Sequence, residues 1–95
     1  MSDETYYTVK PTSSFRKDLK RVNRQGRDIK LVQEVLSKLA DNVPLEESYR
    51  DHGLGGKYKG CRECHIQPDW LLVYQIDNDA LYLYLMRTGS HAELF

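Results

Sequence analysis

The sequence predicts an α+β domain in which two helices pack on one face of an antiparallel sheet. Three observations point there. A short β-branched and aromatic run, "YYTVK", opens the chain; two segments between residues 13 and 40 repeat apolar residues at helical spacing; and strand-like runs such as "WLLVYQI" and "LYLYLMRT" fill the C-terminal part. With 95 residues the chain supports one domain with one modest core.

Each element has a local reason. "YYTVK" reads as a first strand ending at Pro11, and residues 1–5 before and into it read as frayed. "TSS" supplies N-cap hydroxyls for a first helix in which Phe15, Leu19 and Val22 form an apolar stripe, and that helix should stop near Gly26. Asp28 can cap a second helix carrying Val32, Val35, Leu36 and Leu39, which Asn42 and Pro44 end. Residues 45–60 read as a loop, and "DHGLGGKYKG" within it holds four glycines, suited to sharp turns or close approach to a ligand. Strands are then expected at 61–66, 70–76 and 81–88, joined by "QPD" and "DND", both good tight-turn chemistry. The result is a strand, a helix hairpin and a three-strand meander, with the second sheet face open.

Composition narrows the class. Charged residues make up 29% and apolar residues 40%, as in ordinary globular domains. No run approaches the roughly 18 apolar residues of a membrane span, and "MSDETYYTVK" has no secretory pattern, so no membrane association is expected and the cytoplasm is the default compartment. Net charge is zero but uneven: residues 1–40 carry nine Lys/Arg against five Asp/Glu, and residues 41–95 carry five against nine. The basic half is either a polyanion surface or a solvated helix face, and charge alone does not decide between them.

Cys61 and Cys64 are too few and too close for a disulfide framework and are read as thiols. "CRECH" matches the C-x-x-C-H haem attachment pattern, but no export signal accompanies it, and residues three apart on a strand point to opposite faces. The same geometry argues against a redox pair; zinc on one Cys with two His lacks the tight ligand pairs of structural sites. No cofactor and no metal are expected, and the cysteines read as small strand residues.

Histidine is the side chain whose charge changes near neutral pH, and this chain has three: His52 in the glycine-rich loop, His65 ending one strand, and His91 after the last. His65 and Asp69 flank one turn. If His91 reaches that edge, imidazoles and a carboxylate stand with the cations Lys57, Lys59, Arg62 and Arg87, giving an acid, a base and stabilisers for a developing negative charge. Otherwise each histidine is a lone surface or capping residue. Trp70 is either a core aromatic or a rim residue. One of the sets Tyr82/Tyr84 and Leu81/Leu83/Leu85 should face the helices, and exposed aromatics beside cations suit stacking on unpaired bases.

The linked motifs "DHGLGG", "RECHIQPDW" and "RTGSHAELF", with "FRKDLKR" near the start, closely resemble the YafQ branch of the RelE/ParE superfamily of bacterial toxins over nearly the whole chain. The resemblance implies a RelE-like fold and metal-independent cleavage of mRNA in the A site of the 70S ribosome, neutralised by a co-expressed antitoxin of the DinJ kind. It also implies functional roles for His52, His65, Asp69, His91 and Phe95, with Arg87 and Trp70 in support. Metal-free RNA cleavage needs a base for a ribose 2′-OH, an acid for the departing 5′-oxygen and cations for the phosphorane. His91 is the expected acid, Asp69 or His65 the base, His52 and Arg87 the phosphate contacts, and Phe95 a partner for a base. Many relatives have Asp where this chain has Glu63, so a role for Glu63 is not implied. The rival within the superfamily is a ParE-like toxin that inhibits a topoisomerase without cleaving anything; that branch does not need the histidine and aspartate set.

Overall fold

The computed structural model describes residues 5–95. The frayed start expected at residues 1–5 therefore lies almost wholly outside the described residues. Strand β1 (Thr8–Pro11) is followed by helices α1 (Ser13–Arg24) and α2 (Ile29–Ala40), strands β2 (His52–Gly53), β3 (Arg62–Gln67), β4 (Trp70–Asp77) and β5 (Tyr82–Gly89), and the one-turn helix α3 (His91–Leu94). The strands form one sheet in the order β1-β5-β4-β3-β2. Only β1 runs parallel to its neighbour, β5, and the other pairs are antiparallel.

Local signals set the helix ends. The Thr12 hydroxyl caps α1 by accepting from the Phe15 N–H at 3.1 Å, and donates to the carbonyl of Leu85 at 2.9 Å, pinning the helix start to β5. Such a cap is worth about 1 kcal/mol. Gly26, at φ +83°, supplies the left-handed residue that stops the chain just after α1. Asp28 caps α2 through the Lys30 N–H.

The main core lies between the helices and the sheet. Phe15, Val22, Val32, Val35 and Leu39 pack against Cys64, Trp70, Leu72, Tyr74, Leu83 and Leu85. The other sheet face, expected open, is partly covered: Leu71 and Val73 pack with Tyr58, Cys61 and Leu94 under the loop and α3. This explains the unbroken "WLLVY", because β4 is buried on both faces. Leu83 and Leu85 face the helices, whereas Tyr82 and Tyr84 meet edge to face, 5.8 Å apart, and are half-buried. Leu81 leaves the pattern: it is exposed, at φ +57°, in the turn before β5. Two elements were not legible in the sequence, β2 within the glycine-rich loop and α3 at the C-terminus.

Candidate active site

The second sheet face gathers most of the candidate residues. β2 pairs His52 with Glu63, and β3 pairs Glu63 with Val73 and His65 with Leu71, so His52, Glu63 and His65 share the face that holds Leu71 and Val73. Glu63 is 5% exposed. Its Oε2 lies 3.1 Å from His52 Nε2 and 3.8 Å from His65 Nε2. The other nitrogen of each ring faces a backbone carbonyl: His52 Nδ1 is 2.7 Å from the Arg50 oxygen, and His65 Nδ1 is 3.3 Å from the Pro68 oxygen. A carbonyl only accepts, so Nδ1 of each ring is the donor, and each Nε2 points at one buried carboxylate. The two rings, 6.3 Å apart, thus stand beside one shared anion. Among the described residues Glu63 Oε1 is buried with no hydrogen-bond partner. Glu63 was not singled out from the sequence, although the alternation E-x-H places a carboxylate and an imidazole on one side of a strand.

The segment before His52 is clamped from the core side. Asp51 accepts from Arg62 Nε at 2.7 Å and from the hydroxyl of Tyr74, which is 1% exposed. Burial, reinforced by the Asp51 hydrogen bond, pushes the Tyr74 phenol well above its usual range, so it stays a donor. Arg62, expected beside the histidines, pairs with Tyr74 across β4 and lies on the opposite face, bound to Asp51. Its part is to hold the loop.

Across the same end of this face, beyond β5, α3 begins at His91 and Phe95 follows it. A capping box closes its start, with Glu93 accepting from the Ser90 N–H at 2.8 Å. Glu93 is also held by Gln25 Nε2 and Arg21 Nε, each at 3.0 Å, which ties α3 to α1. The Ser90 N–H first, and then the Gln25 amide, lower the Glu93 carboxyl to about 2. Gly89 leaves room for this: a Cβ there would stand 2.5 Å from an Arg21 nitrogen. Asp69 accepts from the His91 backbone N–H at 3.3 Å, tying the β3–β4 turn to α3. The Phe95 ring stacks on His91 at 4.9 Å and meets Tyr58 edge-on at 5.3 Å, and it is 53% exposed.

Arg87 reaches this face through a β-bulge. Leu83 and Leu85 point to the helices, so strict alternation would send Arg87 there too. The register slips between Val73 and Tyr74, so that Val73 faces Arg87 while Tyr74 faces Leu85. Met86 is the extra residue, and Arg87 turns to the Val73 side. Its Nε and one terminal nitrogen are held by Asp18 at 2.5 and 3.2 Å. Asp18, 3% exposed, also binds the Thr88 N–H and Arg21. Lys57 and Lys59 are exposed on the loop above this face, and Lys57 lines a groove of about 300 Å³ with Arg87, Tyr58 and Ser14.

Trp70 is not at the rim. It is 0% exposed, its Nε1 donates to the Thr88 hydroxyl at 2.9 Å, and Thr88 donates on to the Leu71 carbonyl. Arg27 lies over its ring at 5.4 Å and donates to the Asp69 carbonyl. Trp70 therefore supports the turn that bears Asp69, with no surface for a substrate.

His65, Leu71 and Gly89 form one row across β3, β4 and β5. At ~4.8 Å per strand spacing, the His52/Glu63/His65 group and the strand end that leads into His91 are about 10 Å apart along one end of one face. The cysteines are buried among apolar side chains. Cys64 lies in the main core and Cys61 in the second cluster, and burial pushes the Cys64 thiol up to about 12. Among the described residues no group of three or more His, Cys, Asp or Glu side chains is arranged to hold a metal ion, and no helix is long and apolar enough to cross a membrane.

Comparison with known proteins bears on this arrangement. Residues 7–95 match the family model for the bacterial toxin of type II toxin-antitoxin system, YafQ. The mRNA interferase toxin YafQ of Escherichia coli strain K12 is 34% identical over 88 residues, covering 92% of this chain and 94% of that protein. A metal-bound toxin from Helicobacter pylori is 47% identical, with a TM-score of 0.88 over 94% of this chain and 99% of that one. In the E. coli DinJ–YafQ toxin-antitoxin complex, the matching chain is 33% identical with a TM-score of 0.86, over 95% of this chain and 98% of that one.

Proposed function

The chain belongs to the YafQ family of bacterial toxins of type II toxin-antitoxin systems, and from that premise we propose that it is an mRNA interferase cutting messages in the ribosomal A site by general acid–base catalysis. An antitoxin protein of the DinJ kind neutralises it, as the complex of the E. coli relative suggests. The observation that carries this reading is the pair of imidazoles, His52 and His65, directed at the buried carboxylate of Glu63.

The reaction needs no group beyond these side chains and the RNA. His65 Nδ1 donates to the Pro68 carbonyl, which leaves Nε2 as the basic nitrogen. That nitrogen lies 3.8 Å from Glu63 Oε2, beyond a hydrogen bond, so it takes the proton of the ribose 2′-OH while the nearby carboxylate offsets the charge of the imidazolium that forms. The 2′-oxygen attacks the adjacent phosphorus, and Arg87 and His52 balance the added charge on the phosphorane. The P–O5′ bond breaks, and His91 delivers a proton to the departing 5′-oxygen. The products are a 2′,3′-cyclic phosphate and a 5′-hydroxyl. Phe95, stacked on His91 and half exposed, orients a base beside the acid. Asp69 is a positioning residue, since its carboxylate already holds the His91 backbone.

The test adds purified protein to a translating extract and maps message ends by primer extension. Cuts within A-site codons that fall by about 10²-fold or more in His65→Ala and His91→Ala are expected. Intact messages, or cuts made equally well by both variants, overturn the proposal.

A further inference from the structure

A hollow of about 350 Å³ adjoins the site on the side away from His91, between the segment around Tyr49 and Arg50 and the end of β3. It was not foreseen from the sequence. His65 belongs both to its wall and to the pair that shares Glu63. Among the described residues β2 pairs with β3 only at Arg62 and Glu63, so the outer edge of β3 beyond them has no strand partner beside the hollow.

Its lining is half apolar and half polar. Ile66 and Pro68 supply apolar surface, and Tyr49 an aromatic wall. Ser48, Arg50 and Gln67 line it as well, and among the described residues none of these three side chains makes a hydrogen bond within the protein. Arg50 sits at φ +49°, a left-handed conformation uncommon outside glycine, asparagine and aspartate. Its carbonyl holds the His52 ring at 2.7 Å. Strained residues of this kind persist where the surroundings over-determine them, and they cluster at ligand sites.

We propose that this hollow receives one nucleobase of the message next to the scissile phosphate, and that Gln67 and Ser48 read its edge. The chemistry favours a base over other occupants. An amide and a hydroxyl offer donor and acceptor together, which a base edge matches. An aromatic wall and a guanidinium plane both stack on an unpaired base. A cation beside His65 suits a polyanionic strand. The hollow also shares a residue with the proposed base, so a nucleotide whose 2′-OH reaches His65 has its neighbour in range. The inference rests on the RNA-cleaving reading above and adds to it the residues that set codon preference.

The test uses the full chain in the translating extract, with a message containing every sense codon, and compares wild type with Gln67→Leu, Gln67→Glu and Ser48→Ala. Gln67 and Ser48 are exposed, so the variants keep the fold, and thermal melts check this. Cutting by the wild type should be uneven among codons. In Gln67→Leu the ratio between the best and worst codons should shrink by about tenfold, the discrimination of one lost base contact. Gln67→Glu, which only accepts, should change the order of preferred codons. Unchanged ratios and order in all three variants overturn the pocket while leaving the nuclease reading intact. A wild type that cuts nothing overturns both.

Discussion

The Asp69 carboxylate accepts the backbone N–H of His91 at 3.3 Å, joining the β3–β4 turn to the helix that carries the proposed acid. A carboxylate so used is a positioning group. Asparagine has the same acceptor oxygen without the charge. Asp69→Asn should therefore keep kcat within about tenfold of wild type, whereas Asp69→Ala, which lets α3 shift, should lose about 10²-fold. Equal loss in both variants would identify Asp69 as the base instead.

Glu63→Gln removes the anion that the two imidazoles share and relieves a buried carboxylate with one unpaired oxygen. The kcat should fall by about 10- to 10²-fold while the melting temperature holds or rises. A fall in stability with full activity would contradict the role given to Glu63.

The Tyr74 hydroxyl reaches from the core to Asp51, next to His52. Its loss in Tyr74→Phe should cost about 2 kcal/mol in urea denaturation, the scale of a hydrogen bond to a charged group. Activity should fall at constant folded fraction, because Asp51, next to His52, then keeps Arg62 but loses its anchor in the core.

Asp18 is a buried carboxylate with Arg21, Arg87 and the Thr88 N–H around it. Asp18→Ala leaves a buried amide unpaired and strips Arg87 of its carboxylate, while Arg21 keeps Glu93, and should destabilise the fold by about 3 kcal/mol. A variant as stable as wild type would show that this network is not structural.

Glu93 has a carboxyl lowered from 4.5 to about 2, so the folded state binds its proton less tightly than the unfolded state does. The stability it contributes is present above the unfolded value and is lost as pH falls through the folded one. The difference in melting temperature between wild type and Glu93→Gln should be constant from pH 6 to 8, shrink below about pH 4.5, and vanish near pH 2. A difference that grows on acidification would reverse the sign argued here.

The sequence by itself determined the elements whose signals are local. The caps at Thr12 and Asp28, the helix stop at Gly26, the period of Val32, Val35 and Leu39, and the turn around Pro68 all depend on neighbours a few residues away. Motif resemblance also brought forward His52, His65, Asp69, His91 and Phe95, and the comparisons confirm the family. Tertiary structure decided what depends on register and on surroundings. One extra residue in β5 turns Arg87 to the face that strict alternation denies it. Pairing of β2 with β3 sets His52 against Glu63 across the ladder, and makes a carboxylate absent from the expected set the shared partner of two rings. Trp70 opens an apolar run, a pattern common to rim and core, and its complete burial, with the indole N–H bonded to Thr88, shows it to be core. The physical reason is range: caps and periods follow from bonds between close neighbours, whereas bulges, registers and shared charges form between strands far apart along the chain.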